Sequence, residues 1–158
     1  MKLDQIDLKI LKILQADGKI TNAQLSKEIG LSPAPTLERV KKLEQAGYIR
    51  SYHAKVDTNK VGLGVCTFVN VTLTSHNKKT IDSFVQEINK VDEIIECHHV
   101  TGSADFILKV VSKDISSYQK LILNKISEIK EVDGMQSMVV LATFKESEVV
   151  PIPKEEES

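Results

Sequence analysis

The stretch from Ile20 to Arg50 constrains the fold of this chain more than any other. Leu25 and Ile29 lie four residues apart and so share one face of a helix. Gly30 follows them, where a left-handed backbone ends a helix without steric cost. The pair Ser32-Pro33 suits the start of another helix, as N-cap and first helical residue. We therefore predict two short helices joined by a tight turn, the arrangement of a helix-turn-helix.

The solvent-facing side of the second predicted helix indicates its role. Its apolar stripe consists of Leu37, Val40 and Leu43. The residues then expected on the opposite face are Pro35, Glu38, Arg39 and Lys42. Its first turn carries the small residues Ser32, Ala34 and Thr36, which would let the helix enter a DNA major groove. This pattern favours a recognition helix with Arg39 and Lys42 at bases or phosphate, and the alternative is a surface helix pair with solvated charges.

The charge is divided unevenly along the chain. Residues 1–56 contain ten Lys or Arg against six Asp or Glu, a net charge of +4. Residues 57–158 contain eleven against sixteen, a net charge of −5. We therefore expect the N-terminal part to meet an anion, with an excess small enough that dimerisation would help DNA binding.

A third helix, opened by Asp4 and ended by Gly18, is predicted before this motif and would complete a three-helix unit. After Gly47, residues 48–57 alternate as a strand or short hairpin would, which is typical of the winged variant of the motif. Basic side chains on that ribbon would reach phosphate. These residues are Arg50, His53 and Lys55. For His53 the alternative is that it is an exposed strand residue without a DNA contact.

The pattern changes after a glycine-containing linker at residues 57–64. The following segments read as strand, helix, strand, strand, helix and strand, which is the ferredoxin-like βαββαβ order. Their predicted ranges are 65–74, 75–91, 92–102, 105–112, 114–129 and 134–144. Because both helices would cover one face of the sheet, we expect a second copy to cover the other.

The predicted fold class is thus α+β, with a winged helix-turn-helix at residues 1–56 and a ferredoxin-like domain at residues 65–146. The acidic tail, 147–158, is expected to be disordered. No apolar run is long enough to cross a bilayer and no signal core is present, so a cytoplasmic location is expected.

Catalytic and metal chemistry find little support in the sequence. The run Glu96-Cys97-His98-His99 resembles a metal site, but on a strand at most two of these side chains share a face. No second ligand pair at zinc spacing follows, so a core cysteine with surface histidines is the favoured interpretation. Cys66 and Cys97 are read as small core residues without a disulfide. No nucleophile elbow or phosphate loop occurs, and we predict neither an enzyme nor a cofactor or metal.

To about residue 150 the chain resembles the Lrp/AsnC family of transcriptional regulators, also called feast/famine regulatory proteins. The resemblance rests on LDQIDLKILKILQADGK, NAQLSKEIGLSPAPTLERVKKLEQAGYI, LGV preceded by Val61-Gly62, and ECHHVTGSADFIL. It implies a winged helix-turn-helix joined to a regulatory ferredoxin-like domain. It also implies dimers that assemble into octamers or other higher forms, with amino-acid effectors bound between regulatory domains.

Two sets of site residues follow from this resemblance. The DNA-contacting stretch falls on Ser32, Ala34, Pro35, Thr36, Arg39 and Lys42. The effector site falls on Thr101, Gly102, Ser103, Ala104 and Asp105 with Met138, Val139 and Val140 beside them. In that loop Gly102 permits close approach and Asp105 would answer an α-ammonium group, although a turn or strand-start cap is the alternative for Asp105.

We therefore expect a homo-oligomeric, sequence-specific regulator that binds double-stranded DNA under the control of a small effector of the amino-acid class. The alternative from another functional class is an amino-acid-sensing module that acts through protein partners.

Overall fold

The chain forms two compact units. The computed structural model describes residues 2–152. The first unit contains the N-terminal residues up to Lys55 together with the segment from Lys145 onward, and the second is Val56–Phe144. Among the described residues, no helix is both long and apolar enough to cross a membrane.

Three helices build the first unit, and their ends follow local capping chemistry. They are α1 (Gln5–Ala16), α2 (Asn22–Ile29) and α3 (Pro33–Gln45). Asp4 and Thr21 cap α1 and α2 through capping boxes with Asp7 and Gln24. Gly30 ends α2 with φ of 75°, the left-handed conformation that glycine adopts without penalty. The predicted three-helix unit is therefore confirmed.

The core of the first unit corrects the predicted orientation of α3. Ile10, Leu25 and Leu43 are buried where the three helices meet. Leu37, expected in the same stripe, is instead 43% exposed, whereas Thr36 is fully buried. The inward face of α3 is thus centred one residue earlier than predicted, because the Thr36 side chain packs inside and its hydroxyl donates to the Ser32 carbonyl at 2.9 Å.

The strand or hairpin expected at residues 48–57 is not found in the part of the chain that the structure describes. An isolated extended segment needs a neighbouring strand for its N–H and C=O groups, and the described chain offers none there. Residues 147–152 of the predicted tail pack on the first unit: Val150 N–H donates to Gln15 Oε1 at 2.7 Å. Gln15 Nε2 donates back to the Val150 carbonyl at 3.3 Å. The rest of that tail, 153–158, lies outside the described residues.

The second unit has the predicted ferredoxin-like order. Its elements are β1 (Val65–Leu73), α4 (Lys78–Ile88), β2 (Ile94–His99), β3 (Phe106–Ser112), α5 (Ile115–Leu121) and β4 (Val132–Val139). A π-helical turn, Ile122–Ile126, extends α5. The antiparallel sheet has the strand order β2-β3-β1-β4. The last strand ends five residues earlier than predicted.

The two faces of the sheet differ in burial. Val69, Val71, Phe106 and Leu108 belong to the buried core that also contains Phe84 of α4. The alternate positions of the strands point the other way and carry a mixture of apolar and polar side chains. We call this second side the open face, and its residues include Phe68, Asn70, Ile107, Lys109 and Met138.

Candidate DNA-binding and effector-binding sites

Helices α2 and α3 meet at a tight turn that the sequence specifies locally. Leu31 N–H donates to the Ser26 carbonyl at 2.9 Å, closing the end of α2. Ser32 has the extended conformation of an N-cap, although its side chain forms no cap bond. The Asn22 side chain donates to the Pro33 carbonyl at 2.8 Å and so joins the starts of both helices. This geometry is that of a helix-turn-helix.

The first turn of α3 is open to solvent. Ser32, Ala34 and Pro35 are exposed, as are Glu38 and Lys42 farther along the helix. Helix N-termini present unpaired N–H groups and a positive dipole, which favour phosphate oxygens. This exposed end therefore has the shape and polarity needed to approach a DNA backbone and groove.

Two members of the predicted DNA-contacting set are placed differently from the rest. Thr36 is fully buried, so its side chain lies away from any surface that DNA could reach. Arg39 is half-buried, and its Nη1 lies 2.7 Å from both Asp4 Oδ2 and Asp7 Oδ1. These carboxylates raise the pKa of the Arg39 guanidinium. The spacing of the two acids indicates a capping box at the start of α1, but it does not indicate the contact with Arg39, which lies more than thirty residues away.

The three basic residues expected on the wing segment lie at the surface, and one of them forms an ion pair. Lys55 pairs with Glu146 at 2.8 Å. Tyr52, in the same segment, donates to Glu44 Oε1 at 3.0 Å. Burial, followed by this carboxylate, raises the pKa of Tyr52 to about 12. Arg50 and His53 are exposed.

The predicted effector loop borders an open concavity of about 670 Å³. Four of the predicted residues come together there, namely Thr101, Gly102, Ser103 and Ala104. Gly102 has φ of 118°, a left-handed conformation that L side chains rarely adopt. The volume falls within the range of small-molecule sites, and the backbone at Gly102 can be approached closely because no Cβ is present.

The floor of this concavity includes residues that sequence reasoning missed. Asn70 and Ile107 are paired neighbours on β1 and β3, and both line it together with His99. The Asn70 Oδ1 atom is buried, and no residue of the described chain bonds to it. The alternation of β1 could have indicated Asn70, since it is a polar residue on the face opposite the core.

Asp105 does not line the concavity. Its Oδ2 accepts the Leu73 N–H at 2.7 Å, and its Oδ1 lies 2.8 Å from His76 Nε2. The Leu73 N–H is the main reason that the pKa of Asp105 is below its ordinary value. The carboxylate thus fastens the end of the loop to β1, which is the turn or cap interpretation of this residue.

Met138, Val139 and Val140 lie away from the loop within one chain. Met138 pairs with Phe68 across β1 and β4, whereas the loop ends beside Phe106, which pairs with Val71. Phe68 and Val71 are three residues apart, roughly 10 Å along a strand. A single chain therefore does not bring Met138 to the concavity.

The run Glu96-Cys97-His98-His99 divides between two faces as the alternation predicts. His98 Nε2 lies 3.1 Å from Glu96 Oε2, on the side where Lys109 also bonds to Glu96. On the other side His99 stacks on Phe106 with ring centroids 4.7 Å apart. Burial raises the pKa of the Cys97 thiol. Within residues 2–152, no cluster of three His, Cys, Asp or Glu side chains has the geometry to hold a metal ion.

Comparison with known proteins matches both halves of the chain to described families. Residues 3–50 match the winged helix-turn-helix DNA-binding family, and residues 66–150 match the Lrp/AsnC ligand binding domain. The chain is 40% identical to the transcriptional regulator AzlB of Bacillus subtilis over 150 residues, covering 95% of this chain and 96% of that protein. It is 39% identical to the leucine-responsive regulatory protein of Escherichia coli K12, covering 92% and 88%.

Solved structures show the same architecture. A transcriptional regulator of Neisseria meningitidis, crystallised as its L-Met complex, superimposes with a TM-score of 0.90 at 33% identity, covering 95% of this chain and 97% of that one. Escherichia coli AsnC gives 0.87 at 28% identity, covering 96% and 100%. The combination of an exposed helix-turn-helix with a separate ligand-binding fold is that of a regulator, not an enzyme. This chain belongs to the Lrp/AsnC family of DNA-binding transcriptional regulators.

Proposed function

We propose that α3 binds in the DNA major groove and that an amino-acid effector bound at the loop 101–104 modulates this binding. Four residues of the DNA-contacting set support the first part by their exposure at or beyond the first turn of α3. They are Ser32, Ala34, Pro35 and Lys42. Small residues let the helix approach the base edges, and Lys42 reaches phosphate as a point charge. Two copies would then read two half-sites of an approximately palindromic operator.

The effector proposal rests on one observation, the concavity that residues Thr101–Ala104 line. None of the backbone hydrogen bonds found in the described chain has an N–H of residues 101–104 as donor. An amino-acid carboxylate would accept from these N–H groups, and the buried Asn70 Oδ1 would accept from the α-ammonium. Ile107 offers an apolar surface to the ligand side chain. The L-Met complex of the Neisseria regulator supports this class of ligand.

Oligomerisation completes this proposal. The open face exposes apolar side chains such as that of Met138, as expected of a sheet that a second copy covers. Since Met138, Val139 and Val140 lie away from the concavity in their own chain, their predicted role at the effector site requires another copy to supply them. We therefore propose a homodimer that assembles further, with effectors bound between regulatory domains.

A thermal-unfolding screen with each of the twenty L-amino acids tests the effector site. A ligand that binds only the folded protein raises its stability, by about 2.7 kcal/mol at roughly 100 times its Kd. Gly102→Ala should remove the response, because alanine at φ of 118° distorts the loop. Gly62→Ala is the matched control, since Gly62 also has a positive φ and open space around it but lies outside the loop.

The proposal is refuted if no amino acid raises the Tm of the unaltered protein. It is also refuted if Gly102→Ala keeps the full response. Fluorescence anisotropy with and without the active amino acid then measures whether DNA affinity changes.

A further inference from the structure

Arg39 occupies a position that does not suit a direct DNA contact. Its Nη1 lies 2.7 Å from a carboxylate oxygen of Asp4 and 2.7 Å from one of Asp7. The Asp7 side chain is only 9% exposed, and that of Arg39 is 30% exposed. The guanidinium is therefore directed toward the start of α1, where two negative charges meet one positive charge.

The four carboxylate oxygens of this cluster are fully allocated. Asp4 Oδ1 accepts the N–H groups of Ile6 and Asp7, both at 2.9 Å, and Asp7 Oδ2 accepts the Asp4 N–H at 3.1 Å. The remaining oxygens, Asp4 Oδ2 and Asp7 Oδ1, are those that bind Arg39. The capping box of α1 thus holds both acids in the orientation that binds a residue of α3.

We propose that Arg39, Asp4 and Asp7 form a positioning clamp that sets the orientation of the recognition helix. The clamp joins α3 to the N-terminus of α1 through charged groups, beside the apolar cluster that contains Ile10 and Leu43. With rotation of α3 fixed, its exposed first turn is presented to DNA in one orientation. Arg39 then contributes to DNA affinity without touching DNA.

The direction in which Asp7→Asn changes the affinity for DNA distinguishes this role of Arg39 from a direct contact with DNA. An acid near a DNA surface repels phosphate, so neutralising it normally strengthens binding. If Arg39 contacted phosphate, Asp7→Asn would also release its guanidinium and strengthen binding further. The clamp predicts the opposite, because Asp7→Asn loosens α3. The inference rests on the proposed placement of α3 in the major groove, which Lys42→Gln tests separately.

The experiment uses fluorescence anisotropy on the full chain over a series of salt concentrations. The probes are a labelled duplex recovered by the unaltered protein from a random-sequence pool and a shuffled duplex of equal composition. The variants are Asp7→Asn, Arg39→Gln, the double variant and Lys42→Gln. The double variant replaces Asp7 and Arg39 with neutral hydrogen-bonding groups, which leaves no buried charge unpaired and should preserve the fold. The remaining acid, Asp4, is 51% exposed and still accepts the N–H groups of Ile6 and Asp7. If circular dichroism shows that either single variant is unfolded, the double variant is measured in its place.

We expect both clamp variants, and the double variant, to bind the selected duplex about tenfold more weakly. Their slope of log Kd against log salt and their affinity for the shuffled duplex should stay unchanged. The double variant should be no weaker than the weaker single one, because both substitutions break the same contact. Lys42→Gln should instead reduce the slope by about 0.9 and weaken binding to both duplexes. The inference is overturned if Arg39→Gln or the double variant lowers the slope by that amount, if Asp7→Asn strengthens binding, or if no clamp variant changes affinity.

Discussion

Replacing Asp105 with alanine should loosen the junction between the effector loop and β1. The substitution removes the acceptor of the Leu73 N–H, which is 2.7 Å from Asp105 Oδ2 next to a buried side chain. A hydrogen bond to a charged group contributes about 1.5–3 kcal/mol. The contact with His76, whose side chain is 74% exposed, adds at most about 1 kcal/mol. We therefore expect a loss of about 2 kcal/mol in the local stability of this junction.

The effect of Asp105 should depend on pH in one direction. Its pKa in the folded chain lies below the ordinary value of 3.8, mainly because of the Leu73 N–H. A carboxyl group with a lowered pKa stabilises the fold above its unfolded pKa, and this stabilisation is lost as pH falls through the folded pKa. The difference between the unaltered chain and Asp105→Ala should thus be full at neutral pH, should begin to fall below about pH 4 and should be lost once the pH is below the folded pKa.

Amide hydrogen exchange of Leu73, followed by NMR, measures this effect directly. A loss of 2 kcal/mol corresponds to about a 30-fold fall in protection. Asp105→Asn retains an acceptor and should lose less, and His76→Ala should change protection by less than about fivefold. Amides of β3 serve as an internal reference, because ladder bonds protect them. Equal protection of Leu73 in Asp105→Ala and the unaltered chain would refute this account of the loop.

Three further predictions concern side chains whose burial the structure assigns. Leu37→Ala should change the free energy of unfolding by less than about 0.5 kcal/mol, whereas Leu43→Ala should lower it by about 2–5 kcal/mol, measured with urea; similar losses would contradict the orientation of α3. Thr36→Val should lose about 1 kcal/mol of stability with its bond to the Ser32 carbonyl. Thr36→Val should leave the affinity for DNA unchanged in fluorescence anisotropy. A weaker affinity would indicate that Thr36 contacts DNA after all. Asn70→Leu should abolish the rise in Tm caused by an amino acid without lowering the ligand-free Tm, because it removes an unpartnered buried acceptor; a retained rise would exclude Asn70 from the site.

Features set by short-range chemistry were predictable from the sequence. The caps at Asp4 and Thr21 and the glycine end of α2 depend on residues within four positions of each other. The βαββαβ order was also predictable, because strand and helix periodicities differ. Together these determined the fold class, and the loop at Gly102 followed from its resemblance to a family.

Features that depend on distant partners were not predictable in the same way. The apolar stripe predicted that Leu37 lies on the buried face of α3. Periodicity cannot show that the Thr36 side chain is buried there instead, with its hydroxyl bonded to the Ser32 carbonyl. Residues 48–57 alternate like a strand, but alternation does not supply the neighbouring strand that pairing requires. The sequence leaves both a ligand contact and a turn or cap open for Asp105, because its partner Leu73 lies 32 residues away in the chain. In each case the deciding contact joins segments whose proximity exists only after folding.

The clamp also changes where the attraction for DNA resides. Residues 1–56 carry a net charge of +4. Within them Arg39, Asp4 and Asp7 together carry −1, so the remaining residues carry +5. Electrostatic attraction to phosphate therefore does not need Arg39 and arises from exposed residues such as Lys41, Lys42 and Arg50. Neutralising Arg39 should consequently affect the distinction between DNA sequences more than nonspecific affinity, because orientation of α3 decides which bases it meets whereas the phosphate charge is the same everywhere.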